Sequence, residues 1–177
     1  MHWKDKREMT DKVKNFKRFI NEGTVNNNPY IYNNPELVDA IEKSIEGDGS
    51  SFICTYVASA VKLLEGNNVK IYGFSSNENP ESEYFFDDGS DDGHHFVVMD
   101  NRYIIDPWIY NNFEDYNTNK NFNRSVFDLQ NKNDEKIIKY LYGGRNKWTD
   151  ITNKVENFKD TFPNAYKELL EYYKTIQ

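Results

Sequence analysis

The chain has 177 residues, with 22 Lys and Arg against 29 Asp and Glu, a single cysteine and an aromatic share of 16%. That length suits one domain with a sizeable core, and the Tyr and Phe that dominate the aromatics supply material for it, which excludes a fully disordered chain. A net charge of −7 speaks against nucleic acid, whose phosphates are gripped by clustered Lys and Arg, and leaves room for a basic protein partner.

The lone cysteine, Cys54, can form neither an internal disulfide nor a thiolate zinc cluster, and it fits a reducing compartment. No apolar run is long enough to cross a bilayer, and the opening MHWKDKREMT lacks the apolar region of a signal peptide. The expectation is a soluble chain, either cytoplasmic or delivered into a target cell by a non-classical route.

In chain order, residues 10–21 place Val13, Phe16, Phe19 and Ile20 on one helical face. A second helix is expected from Pro35 to about Ile45, with Pro35 suited to its first turn. A third, over 52–65, is the best defined: Ser50 or Ser51 can cap it, and Cys54, Val57, Ala58, Val61 and Leu64 recur at helical spacing before Gly66. VKIYGFS (69–75) alternates like a strand, and 76–93 reads as a long acidic loop. Within that loop DDGSDDG lacks the spacing of a calcium-binding EF-hand, so no metal or cofactor is expected, and the segment reads as a solvated flap that favours a basic substrate. HFVVM and RYIID form two strands around a tight turn. Residues 108–129 read as irregular chain with room for a short strand or helix, DEKIIKYLY as a helix closed by Gly143-Gly144, and 149–176 as two helices split by Pro163. One α+β domain covers the whole chain, with a core over about 48–110 and helical additions over 10–45 and 133–176.

The hairpin decides which of the adjacent histidines, His94 or His95, can be chemically active. Asp100 and Asn101 both tolerate the positive φ of a type I′ turn. A two-residue turn there pairs Met99 with Arg102 and, four rungs on, His95 with Asp106. Opposed side chains share a face with Cβ atoms about 4.5–5.5 Å apart, so His95 is expected to meet the Asp106 carboxylate. His94 would face Pro107 and line the rim of the site. A turn moved one residue along would set Asp106 opposite Val97 and dissolve the pair, but Arg102 is a poor second residue for a primed turn.

A carboxylate on one imidazole nitrogen fixes the tautomer and stabilises the imidazolium, which frees the other nitrogen to activate a nucleophile. Cys54 is the candidate nucleophile, because a thiol in the first turn of a helix is acidified by the helix dipole and free N–H groups. Cys54, His95 and Asp106 together follow the logic of nucleophile, base and orienting acid. Packing alone also accounts for a small cysteine on an apolar helical face, and a cross-strand His–Asp pair is often structural. Trp108 reads as a core residue or as the wall of a substrate groove.

The segments SSFICTYVASAVKLLEG, VKIYGF, HFVVM and YIIDPW resemble the papain-like superfamily in its broad sense, which includes transglutaminase-like enzymes, protein-glutaminase and bacterial toxin or effector deamidases and proteases. In such folds a cysteine opens a helix packed on a small antiparallel sheet, with histidine and Asp or Asn on neighbouring strands. The resemblance implies Cys54 as nucleophile, His95 as general base and acid, and Asp106 as the orienting carboxylate. It departs from papain-type proteases at Asp48, where they carry the glutamine that completes the oxyanion hole. A second oxyanion donor would then come from a backbone N–H, Ser50, Ser51 or Cys54 itself.

The expected function is a thiol-dependent hydrolase acting on a protein side chain, most readily a glutamine deamidase of bacterial effector or toxin type. Peptide-bond cleavage and acyl transfer to an amine use the same acyl-enzyme. A non-catalytic protein-binding module, with the same residues serving structure alone, is the alternative of a different class. The expected partner is a protein substrate with a basic surface, and no immunity or host partner is named by the sequence.

Overall fold

The computed structural model describes residues 28–45, 53–82, 93–110, 114–115, 120–155 and 157–177. The helix expected over 10–21, together with Asp48, Ser50, Ser51 and most of the acidic loop, lies outside the described residues.

The described residues form an α+β fold built on one antiparallel sheet. Its strands are β1 (Val69–Ser75), β2 (Gly93–Met99), β3 (Tyr103–Ile105), β6 (Val126–Asp128) and β7 (Thr149–Asp150), in the spatial order β6-β3-β2-β1-β7. A separate two-stranded ribbon pairs β4 (Glu114–Asp115) with β5 (Lys120–Asn121). The helices are α1 (Pro35–Lys43), α2 (Ile53–Glu65), α3 (Lys132–Tyr142), the single turn α4 (Phe158–Thr161) and α5 (Pro163–Thr175). No helix among the described residues is long and apolar enough to cross a membrane.

Alternation along the strands sorts side chains onto two faces. Val69, Ile71, Val97, Met99, Ile105 and Val126 point to one face, where they pack with Val57, Ala58, Ala60 and Val61 of α2 and with Leu37 of α1 and Leu169 and Tyr173 of α5. Phe74, Phe96, Val98, Ile104 and Phe127 point to the other face and meet Ile138, Leu141 and Tyr142 of α3. The sheet is therefore covered by helices on both sides, and most residues of β2 and β3 are buried.

Local chemistry sets the helix boundaries. Asn34 caps α1 by accepting from the Glu36 N–H at 3.0 Å, with Pro35 in the first turn as expected. Asn131 caps α3 in the same way. Gly143 ends α3 at φ 61 and ψ −148, a backbone region open in practice only to glycine. A buried amide, Asn79, locks that terminus: its Nδ2 donates to the Tyr142 carbonyl at 2.9 Å, and its Oδ1 accepts from the Gly144 N–H at 3.3 Å.

Two expectations are corrected. Residues 149–162 do not form one helix. Thr149 and Asp150 pair with Gly73 and Tyr72 at the edge of the sheet. Thr152 Oγ1 then accepts the Ile71 N–H at 3.0 Å and Lys70 pairs with Asp150 at 3.1 Å, so the segment closes the β1 edge before Asn157 caps α4.

The second correction concerns the hairpin register. Asp100 and Asn101 do adopt positive φ, 53° and 54°, and the Arg102 N–H donates to the Met99 carbonyl at 2.9 Å, as a primed turn requires. Met99, however, pairs with Tyr103 rather than Arg102, followed by Val98 with Ile104 and Val97 with Ile105. Arg102 is an extra residue on the returning strand, a bulge. It is held there by β6 and the residue after it: its guanidinium makes three contacts of 2.7–3.2 Å with the Asp128 carboxylate, and its carbonyl accepts the Leu129 N–H at 2.8 Å. A one-residue slip moves a side chain to the opposite face of the sheet. Asp106 accordingly lies on the face of His94, Phe96 and Val98, and the expected His95–Asp106 rung does not form.

Gly143→Ala should cost about 2 kcal/mol or more of unfolding free energy, because the added Cβ meets the Asn79 amide and L-residues disfavour that backbone region. Urea denaturation measures it; a change within about 0.5 kcal/mol would show that the Asn79 lock bears no strain.

Candidate active site

Cys54 lies in the first turn of α2, whose leading N–H groups have no partner inside the helix. Its thiol is under the influence of the His94 side chain and of the His95 backbone. Burial alone would push the thiol pKa up. The His94 hydrogen bond and positive charge, aided by the His95 N–H, outweigh that and bring it below its ordinary value of 9.0.

His94 is buried, with 1% of its surface exposed. Its Nε2 meets Asp106 Oδ2 at 2.6 Å, which leaves Nδ1 as the nitrogen for the thiol. Burial would lower the imidazole pKa. The Asp106 charge and hydrogen bond, together with the Cys54 thiol, reverse this and raise it to about 10. The thiol and the imidazole thus each shift the other's pKa toward its charged form. The ring is caged by aromatic neighbours, with centroids 5.2 Å from Trp108, 6.1 Å from Tyr142, 6.2 Å from Phe96 and 6.3 Å from Phe74.

Asp106, 2% exposed, accepts from both His94 and the Tyr142 hydroxyl, the latter at 2.9 Å. Its carboxylate does not cap the helical turn 107–109 that follows, so its side chain is committed to the histidine and the tyrosine. The backbone is pinned separately, with the Asp106 N–H donating to the Ser125 carbonyl at 2.8 Å.

The structure therefore brings together Cys54, His94 and Asp106, with Trp108 over the imidazole. His95, expected as the base, points to the opposite face, where its Nδ1 lies 2.6 Å from Thr55 Oγ1 and its pKa is lowered by burial and by the His94 charge. His94, expected at the rim facing Pro107, is instead buried at the centre. Ser50 and Ser51 lie outside the described residues. Sequence reasoning missed Tyr142 and Thr55; the only available hint to the first was that a buried tyrosine hydroxyl must find a partner. Among the described residues no three His, Cys, Asp or Glu side chains converge as a metal site would need. A cavity of about 340 Å³ beside α3, lined by Lys132, Glu135, Lys139 and Arg145 among others, includes none of Cys54, His94 and Asp106.

No protein-family model, curated protein or solved structure matches this chain.

The rate of Cys54 alkylation by iodoacetamide should reach half its thiolate limit below pH 9.0, and His94→Gln should move that midpoint upward. An unshifted midpoint in both proteins would contradict the thiol–imidazole contact. Tyr142→Phe, which deletes one donor to a buried carboxylate, should cost about 1.5–3 kcal/mol in chemical denaturation; a neutral substitution would mean that Asp106 does not need the phenol.

Proposed function

We propose that the chain is a thiol-dependent hydrolase with a Cys54–His94–Asp106 triad on a papain-like core, and that it deamidates glutamine side chains of a protein substrate. The observation that carries this is the buried His94–Asp106 hydrogen bond, Nε2 to Oδ2 at 2.6 Å, beside a Cys54 thiol whose pKa His94 lowers.

The chemistry follows from the protonation states. The Cys54 thiolate attacks the carboxamide carbon, and a C–S bond forms as the carbonyl oxygen takes up the negative charge. The N–H groups in the first turn of α2, that of Cys54 among them, are suited to hold that oxyanion. The His94 imidazolium gives its proton to the departing nitrogen, and ammonia leaves as the C–N bond breaks. Water then attacks the thioester while neutral His94 removes its proton; glutamate is released and the thiolate returns. Asp106 orients the ring throughout.

Deamidation is favoured over peptide cleavage by the setting of the sulfur. Cys54 is only partly exposed and His94 is buried beneath Trp108. A slender carboxamide side chain reaches such a recessed thiol more readily than a backbone amide does. The net charge of −7 suits a basic substrate surface.

Incubation with glutamine-rich basic proteins should release ammonia without creating new chain termini, and both Cys54→Ala and His94→Ala should lose at least about 100-fold of the rate. Cleaved fragments instead of ammonia would make the protein a protease. Neither product from any substrate, with unreactive Cys54, would leave protein binding as the better account. The rate should fall on the acid side as the thiolate is protonated and on the alkaline side as His94 loses its proton near pH 10. A plateau running through pH 10 would remove His94 as the general acid.

A further inference from the structure

Two adjacent residues of α2, Cys54 and Thr55, meet two adjacent residues of β2, His94 and His95. We propose that Thr55 and His95 are a positioning pair that stitches the first turn of α2 to the start of β2 and so holds Cys54 beside His94. This rests on Cys54 and His94 being the reacting pair, and it assigns work to the histidine that does no chemistry.

The geometry shows the His95 ring fixed from two sides. Thr55 Oγ1 and His95 Nδ1 share a 2.6 Å hydrogen bond. Beneath the ring is Gly73, the cross-strand partner of His95; a Cβ at that position would overlap the imidazole, so glycine makes the seat. With the ring held by helix and sheet together, Cys54, the residue next to Thr55, keeps its place beside the His95 backbone, which acts to lower the thiol pKa. The bond is a stitch between the first turn of α2 and the first residues of β2, the two places that must stay in register for Cys54 to meet His94. The ionisable groups facing the thiol are His94 and, behind it, Asp106, while His95 contributes through its backbone. Removing the stitch therefore changes how the sulfur is held without removing any charge of the triad.

The test is the pH dependence of iodoacetamide alkylation in the full chain. Thr55→Val keeps the shape and deletes the hydroxyl. It should raise the midpoint by about half a unit to one unit, slowing alkylation roughly 3- to 10-fold at a pH below the midpoint, and Thr55→Ser should restore the wild-type profile. Gly73→Ala, which displaces the ring and leaves Thr55 in place, should shift the midpoint in the same direction and gives a second answer if Thr55→Val does not fold. A lower melting temperature with an unmoved midpoint in either folded variant would overturn the proposal, since the bond would then be structural only. His94→Gln separates the two ideas. If it shifts the midpoint and Thr55→Val does not, the positioning pair fails and the triad stands. If Thr55→Val shifts the midpoint and His94→Gln does not, the triad fails and the seat for the sulfur stands.

Discussion

A carboxylate with 2% of its surface exposed keeps its charge only if hydrogen bonds and an opposite charge replace the water it has lost. Asp106 is in that position, and much of the structure around the sheet is arranged to satisfy it. Its partners come from two elements, His94 from β2 and Tyr142 from the last turn of α3. Tyr142 is placed in turn by its own carbonyl, which accepts from Asn79 Nδ2 at 2.9 Å and Trp148 Nε1 at 2.8 Å. Ser82 Oγ donates to the Leu141 carbonyl at 2.6 Å, so the chain entering the acidic loop is tied to the same helix end. The requirements of one buried charge thus reach from the sheet to the C-terminus of α3.

The two faces of the sheet divide the work. The face under α2 is aliphatic and gives the helix a firm bed, which sets the height of Cys54. The face under α3 is aromatic and holds the imidazole between rings. Cys54 stands where the two meet, at the start of β2. Exclusion of water from His94 strengthens both of its hydrogen bonds, and the same burial would expel its charge if Asp106 were absent.

Most of this fold was legible in the sequence, and the one error at the site is instructive. The boundaries of α2 and β1, the stop at Gly143 and the positive-φ turn at Asp100-Asn101 all follow from local chemistry that the residues carry themselves. The register after the turn does not, because Arg102 is drawn out of line by Asp128, 26 residues further on. A long-range ion pair on a third strand leaves no mark near the hairpin. Counting rungs from the turn therefore selected His95, one residue from the histidine that meets Asp106, since a slip of one residue reverses the faces. The strands Val126–Asp128 and Thr149–Asp150 escaped for a similar reason: at three and two residues they are too short to alternate, and they exist only because β3 and β1 offer open edges. The residue types that lie together, cysteine, histidine and aspartate, are those the sequence suggested, but which histidine meets Asp106 was not legible.

The adjacent histidines also show how one short strand carries two duties. His94 faces inward to charge, and His95 faces the helix, neutral by virtue of burial and of its charged neighbour. The central claim is that His94 is an imidazolium bonded to Asp106 at ordinary pH. Nitrogen and proton NMR of ¹⁵N-histidine-labelled protein tests it most directly. The His94 ring should be doubly protonated at pH 8, with a far-downfield Nε2 proton that disappears in Asp106→Asn. A His94 ring that loses its proton near the ordinary histidine pKa of about 6.5, with no such resonance, would contradict it.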